Sequence, residues 1–390
     1  MGLKEKIQAL SEEYHQDVVA IRRHLHANPE LSFQEYETSK FIQNKLYDYG
    51  ISFKSGIANT GVVALIEGKN PQSKCIALRA DIDALPIQEL NNVDYCSVNK
   101  GVMHACGHDV HTASLLGVAR LLNKLKEEWE GSIKLIFQPA EEKFPGGASQ
   151  MISEGVLENP KVDKIIGQHV SPELQSGIIG MCSGMFMASA DEIYITVIGR
   201  GGHAALPDRT LNPVLMSSKI ICALYEHFDA IEDIPSVFSI GAVDGGSAGN
   251  IVPDEVRLQG TFRAMNEEYR AKSHQKIREI CQNIANEMGG ICEVDIKIGY
   301  PFLKNDEKLT STCFKNAQEF LSSNEVIEIF KRMTAEDFAY YTHHVPACFY
   351  RLGVGFAGEE ERYLHNAHFD IDENALQLSV AMMAWLAVNA

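Results

Sequence analysis

Cys75-Ile76-Ala77-Leu78-Arg79-Ala80-Asp81-Ile82-Asp83-Ala84-Leu85-Pro86 joins a short apolar run to two carboxylates and a proline. The apolar half predicts a strand over 75–79, of the kind buried on both faces of a sheet. The acidic half lies just beyond its carboxyl end, where open α/β sheets bind their ligands. Similar apolar runs stand at 62–66, 133–137 and 164–169. Between and before them, 4–27, 35–49 and 108–126 carry helical periodicity, the first stopped by Asn28-Pro29 and the second by Gly50. Strands alternating with helices predict an α/β fold whose sheet is covered on both faces.

The pattern changes in the middle of the chain. Segments 192–198, 236–243 and 255–263 alternate as half-exposed strands do, with helices at 211–228 and 266–288 among them. After residue 298 the α/β pattern resumes and ends in a helix over 373–388. The chain is therefore expected to form a discontinuous domain, 1–185 and 300–390, into which an α+β domain, 186–299, is inserted. A length of 390 residues suits two domains.

Composition narrows the functions. The chain is 45 % hydrophobic and 22 % charged, with a formal net charge of −17. That balance argues against a nucleic-acid or anionic-membrane surface. No apolar run approaches the roughly 20 residues that a membrane span requires. The N-terminal stretch MGLKEKIQAL is charged and amphipathic, with no apolar core of a signal peptide. Nine dispersed cysteines without a C-x-x-C pair point to reduced thiols. The cytoplasm is the expected compartment.

The strongest local signal is His104-Ala105-Cys106-Gly107-His108-Asp109-Val110-His111, between a loop and a helix start. A thiolate and an imidazole separated by one glycine suit zinc or a similar transition metal, and the helix N-terminus is expected to stabilise the thiolate. Asp81 and Asp83, Glu141-Glu142 after the 133–137 strand, and His169 at the end of the 164–169 strand bring more donors to the same sheet edge. Leu364-His365-Asn366-Ala367-His368 offers a last one.

These motifs, with Arg22-Arg23-His24-Leu25-His26, Gln138-Pro139-Ala140-Glu141-Glu142, Gly202-His203-Ala204-Ala205-Leu206-Pro207 and Glu336-Asp337-Phe338, run in order along nearly the whole chain. Together they resemble the co-catalytic metal amidohydrolases and peptidases that include aminoacylase and carboxypeptidase G. The similarity is greatest to the subgroup of hippurate hydrolase, N-acetyl-diaminopimelate deacetylase and the auxin-conjugate hydrolases. The resemblance implies a mixed-sheet, zinc-exopeptidase-like catalytic domain with an inserted ferredoxin-like dimerisation domain. It also implies a homodimer, an N-acyl amino acid substrate and two divalent ions per subunit: zinc, with manganese, cobalt and nickel also suited to the donors. Cys106 would bridge the ions, His108 and His169 completing one site, Glu142 and His365 the other. Glu141 would be the general base acting on a metal-bound water, and Asp83 would orient a ligand. Asp81 stands where the wider family has a metal-binding histidine. His203 would stabilise an oxyanion in the partner subunit's site, while Asn250 and Arg263 would bind substrate.

The chain departs from its close relatives at Lys143-Phe144-Pro145, where they pass to glycine sooner, and at Ala367, where proline is common. His15, His227, His274, His343 and His344 match no motif and read as surface or packing residues. His111 reads as core or as a neighbour of the ligands, and His24 and His26 have no assigned chemistry. Three other readings stay open: a dipeptidase or carboxypeptidase on the same metals, a cysteine hydrolase using Cys106 with a histidine base, and a non-catalytic binding protein.

Overall fold

The computed structural model describes residues 1–229 and 234–390. Its contacts divide the chain into two compact units. The first holds Met1–Gly184, Lys304–Phe330 and Asp337–Ala390, and the second holds Met185–Leu303 and Lys331–Glu336.

The first unit opens with helices α1 (Leu3–Ala27) and α2 (Tyr36–Asp48) and strands β1 (Phe53–Ile57), β2 (Gly61–Glu67) and β3 (Cys75–Asp81). Helix α3 (His108–Lys124), strand β4 (Ser132–Gln138), the short α4 (Gly147–Ser153), β5 (Lys164–Gln175) and β6 (Ile179–Met181) follow. The short strands β7 (Gly184–Met187) and β14 (Leu303–Asn305) span two of the four points where the chain passes between units. In the second unit come β8 (Asp191–Ile198), β9 (Gly202–His203), α5 (Pro213–Asp229), β10 (Ser236–Asp244), β11 (Ile251–Val252), β12 (Glu255–Ala264), α6 (Glu267–Glu287) and β13 (Ile291–Ile298). The first unit closes with α7 (Glu307–Phe320), β15 (Val326–Glu328), α8 (Ala339–Thr342), β16 (Ala347–Gly355) and α9 (Ala375–Asn389).

Eight strands of the first unit make one mixed sheet in the order β1-β2-β4-β3-β5-β16-β6-β15. The central strands β4, β3, β5 and β16 run parallel. Every residue of β3 and β4 is buried, which explains why both read as unbroken apolar runs. Helix α3 is buried along nearly its whole length, and α9, with a mean composition of Ala, Leu, Met and Val, adds Leu376, Val380, Met383 and Leu386 to the same core. The sheet therefore stands as a buried base whose parallel strands β3 and β4 end at one edge. Strand β5 does not stop at His169 as expected. It continues to Gln175 because β16 pairs with it as far as Gly353 and, past an irregularity, Gly355.

The second unit has a four-stranded antiparallel sheet in the order β10-β12-β8-β13. The chain order strand–helix–strand–strand–helix–strand, with that spatial order, is the ferredoxin-like arrangement. Ile193, Ile195, Val197, Val256, Leu258 and Phe262 pack with Ile220, Leu224, Ile277 and Cys281 of α5 and α6. Strand β13 was not assigned from the sequence. Its inward residues Cys292, Val294 and Ile296 alternate with Glu293, Asp295 and Lys297 at the sheet edge. The buried Asp191 at the start of β8 accepts from Arg270 Nε at 2.9 Å and from the amide of Gly299 at 3.1 Å, and pairs with His274 Nε2 at 2.6 Å. Burial alone would raise its pKa, but Arg270 and His274 outweigh that and hold it below the usual carboxylate range. His274, read as a packing residue, thus belongs to the buried hydrogen-bond cluster around Asp191.

Candidate metal centre

The site forms where β3 and β4 end and α3 begins. Gly107 caps α3 with φ 83°, and a Cβ there would lie 2.5 Å from Val170 Cγ2. Left-handed backbone and close packing both call for glycine between the two donors Cys106 and His108. Cys106, His108 and His169 bring ligand atoms within 4.8 Å of one another, and so do Cys106, Glu142 and His365. Glu141 joins His108 and Glu142 in a third group of the same tightness. Cys106 Sγ lies 3.5 Å from His169 Nε2, and Glu142 Oε1 lies 3.4 Å from His365 Nε2. His365 comes from the C-terminal segment and is tied down by its amide, which donates to the Ala105 carbonyl at 2.8 Å. His368 lies in none of these groups.

Hydrogen bonds fix which imidazole nitrogen faces the cluster. A carbonyl can only accept, so His108 Nδ1 donates to the Asp83 carbonyl at 3.0 Å, with Asp83 Oδ1 at 3.2 Å. His169 Nδ1 likewise donates to the Val170 carbonyl at 2.8 Å. With Nδ1 committed as the donor in each ring, Nε2 is the nitrogen turned to the cluster, and in the neutral ring it is the acceptor that binds a metal. His111 differs. The Val170 amide donates to its Nε2 at 3.0 Å, so its proton sits on Nδ1 and goes to Asp81. Both nitrogens of His111 are engaged, which makes it a brace behind His169 and not a ligand. Asp81 in turn accepts from Arg79 Nη1 at 2.6 Å.

The donors fit divalent metal ions. His108 Nε2 and Glu142 Oε1 are buried yet have no hydrogen-bond partner among the described residues, a rare and costly condition for polar atoms. Burial, with Glu142, Glu141 and Asp81 close by, pushes the Cys106 thiol well above its ordinary pKa. Cys106 stands one residue before Gly107, the cap of α3. Burial also works against a charged His108, but Asp81, Asp83 and Glu142 overcome it and raise its pKa to about 10. His169 is held well below its ordinary value, first by burial and then by Arg351, and stays neutral. This donor set draws positive charge, and its mixture of sulfur, nitrogen and oxygen suits zinc-like ions.

Several neighbours carried no role in the sequence reading. Asp109 Oδ2 accepts from Arg22 Nε at 2.8 Å and pairs with His26 Nδ1 at 2.8 Å, while His26 Nε2 meets Glu89 Oε1 at 3.1 Å. The N-terminal Arg-His motif thus anchors the start of α3. Asp337 accepts from Arg79 Nη2 at 2.8 Å, and its amide reaches Glu141 Oε1 at 3.4 Å. Glu141 itself is 6 % exposed. In the second unit, His203 and Ile251 pair across β9 and β11, and the Ala204 amide donates to the Asn250 carbonyl at 3.0 Å. His203 and Asn250 are both exposed. Arg263 is half-buried and donates one Nη1 hydrogen to the Met333 carbonyl at 2.9 Å.

The model of peptidase family M20/M25/M40 matches residues 77–389. The chain belongs to this family. It is thus an M20-family hydrolase, and its relatives carry two kinds of name. Thermostable carboxypeptidase 2 of Saccharolobus solfataricus is 39 % identical, over 100 % of this chain and 99 % of its own length. The N-acyl-L-amino acid amidohydrolase of Geobacillus stearothermophilus is 41 % identical, over 78 % of this chain and 82 % of its own. The crystal structure of the Bacillus subtilis YXEP protein, described as a dinuclear metal-binding M20 peptidase, superposes with a TM-score of 0.83 at 35 % identity, covering 97 % and 98 % of the two chains. Among the described residues of this M20 chain, no helix is long and apolar enough to cross a membrane.

Proposed function

We propose that the protein hydrolyses the amide bond of N-acylated amino acids at two divalent metal ions. The observation that carries this reading is the meeting of two donor groups at Cys106, with Glu141 beside them. Cys106, His108 and His169 would hold one ion, and Cys106, Glu142 and His365 the other; zinc suits the donors, as do manganese, cobalt and nickel. Bound there, the ions supply Lewis acidity, which acidifies water and polarises the scissile carbonyl. Glu141 takes the proton of the attacking water and returns it to the leaving amine, a task suited to a carboxyl group that is nearly buried. Asp83 keeps His108 in its Nδ1–H form, and Asp81 does the same for His111 behind His169.

His203 acts as an oxyanion donor in the partner subunit's site, making the second unit a dimerisation domain. Support comes from its tautomer: Nδ1 accepts from the Ala205 amide at 3.1 Å, so Nε2 carries the hydrogen. Arg263 recognises the substrate carboxylate with the donors that Met333 does not use, and Asn250 assists from beside His203. Nine unpaired cysteines suit a reducing cytoplasm. If His203 works across subunits, mixing His203→Ala with Glu141→Gln subunits restores activity, because each mixed dimer keeps one intact composite site. Failure of every mixture to recover activity above the separate variants removes the role.

A second reading, carboxypeptidase action on the same ions, is favoured by the full-length match to the Saccharolobus enzyme. A substrate panel decides between them. N-acetyl-, N-benzoyl- and N-succinyl-amino acids should be cleaved faster than dipeptides or longer peptides, and a chelator should abolish all cleavage. Preference for peptides selects the second reading. Activity that survives metal removal but falls to thiol alkylation would sink both and leave Cys106 as a nucleophile.

A further inference from the structure

The turn carrying Glu141 is held from outside the metal cluster. Ala140, immediately before it, has φ 53°, a left-handed backbone that side-chain-bearing residues adopt only when their surroundings compel it. Its amide donates to Glu35 Oε1 at 2.9 Å, and its carbonyl accepts from the Gly147 amide at 3.0 Å. On the other side of Glu141, the Glu142 amide donates to Asp83 Oδ2 at 3.0 Å. Two fully buried carboxyl groups therefore hold the amides that flank Glu141.

Glu35 is itself tied in place. Its Oε1 also accepts from the Phe33 amide at 2.9 Å, and Thr60 Oγ1 donates to its Oε2 at 2.6 Å. Ser32 Oγ donates to Asp83 Oδ2 at 2.6 Å, so the segment between α1 and α2 reaches both carboxyl groups. Burial, and then Asp83 nearby, push the Glu35 pKa up to about 7. Oε1 remains an acceptor for the Ala140 amide whether or not Oε2 carries a proton. A carboxyl group held beside another at such a cost in burial points to a task beyond packing.

We propose that Glu35 is a positioning residue for hydrolysis: together with Asp83 it clamps the two amides around Glu141 and so sets where the Glu141 carboxylate points. This rests on the reading of Glu141 as the general base. Glu35 is in none of the donor groups, and it acts through the backbone of Ala140.

The test is steady-state kinetics of Glu35→Ala, Glu35→Gln and Glu141→Gln on N-acetyl-L-methionine, with metal content and thermal midpoint measured on each preparation. Glu35→Ala should lower kcat about 10²-fold, the cost typical of a small misplacement of a catalytic group, with KM and bound metal little changed. Glu35→Gln keeps the Oε1 acceptor and should recover most of kcat. Wild-type kcat in Glu35→Ala, a loss that follows missing metal or unfolding, or a Glu35→Gln variant as slow as Glu35→Ala overturns the proposal. Should Glu35→Ala not fold, Thr60→Val decides, since it frees only Oε2. A lowered kcat at unchanged KM supports the clamp, and an unchanged kcat overturns it. An active Glu141→Gln overturns the base reading and the clamp together. An inactive Glu141→Gln beside an unimpaired Glu35→Ala overturns the clamp alone.

Discussion

Glu141→Gln should give a folded protein that retains both metal ions yet turns over its substrate about 10²- to 10⁴-fold more slowly, the usual worth of a general base. The exchange preserves size and keeps an oxygen that can accept from the Asp337 amide, now 3.4 Å from Glu141 Oε1. What it removes is the capacity to take a proton and hand it on. The donor groups at Cys106, His108, His169, Glu142 and His365 do not need Glu141 to close, so metal content by mass spectrometry should stay at the wild-type level. Kinetics and metal analysis on the same preparation separate the two roles. Full activity of the variant would dismiss Glu141 as the base. Metal lost in step with activity would make it a ligand instead.

The parts of the fold carried by local pattern were readable from the sequence, and the parts decided by pairing were not. Strands β3 and β4 are buried on both faces, so their apolar runs stood out. The length of β5 depends on β16, about 180 residues further along, and no local signal near His169 reports that pairing. The same division holds in the site. Cys106, His108, Glu142, His169 and His365 lie in motifs whose residue types announce metal chemistry, and the structure brings their ligand atoms together. Whether His111 is a ligand or a brace depends on the Val170 amide that occupies its Nε2. Glu35 reads as one more acidic residue at the start of a helix until Ala140 and Thr60 are found against it. The surroundings of the Cys106 thiol were not local either: burial, and then Glu142, Glu141 and Asp81 brought in by other segments, push its pKa up.

Cys106→Ala should have the largest effect on metal binding of any single ligand change. Its Sγ is the only ligand atom common to the group with His108 and His169 and the group with Glu142 and His365. On the proposed ligand set, removing it would take a donor from both ions and leave each with two protein ligands, fewer than the three or four that zinc usually has. Losing an outer partner of a metal ligand costs about 10- to 100-fold in affinity, and a shared direct ligand should cost more. After gel filtration, Cys106→Ala should therefore carry almost no metal and have no measurable turnover. His365→Ala takes a donor from one group alone and should keep one ion per chain. Cys106→Asp supplies a carboxylate that can span two ions, so it should regain metal and part of the activity. That last variant also separates the mechanisms, because an enzyme using Cys106 as its nucleophile gains nothing from aspartate. Retention of one ion per chain at wild-type affinity in Cys106→Ala would show that the thiol serves a single ion and does not bridge two.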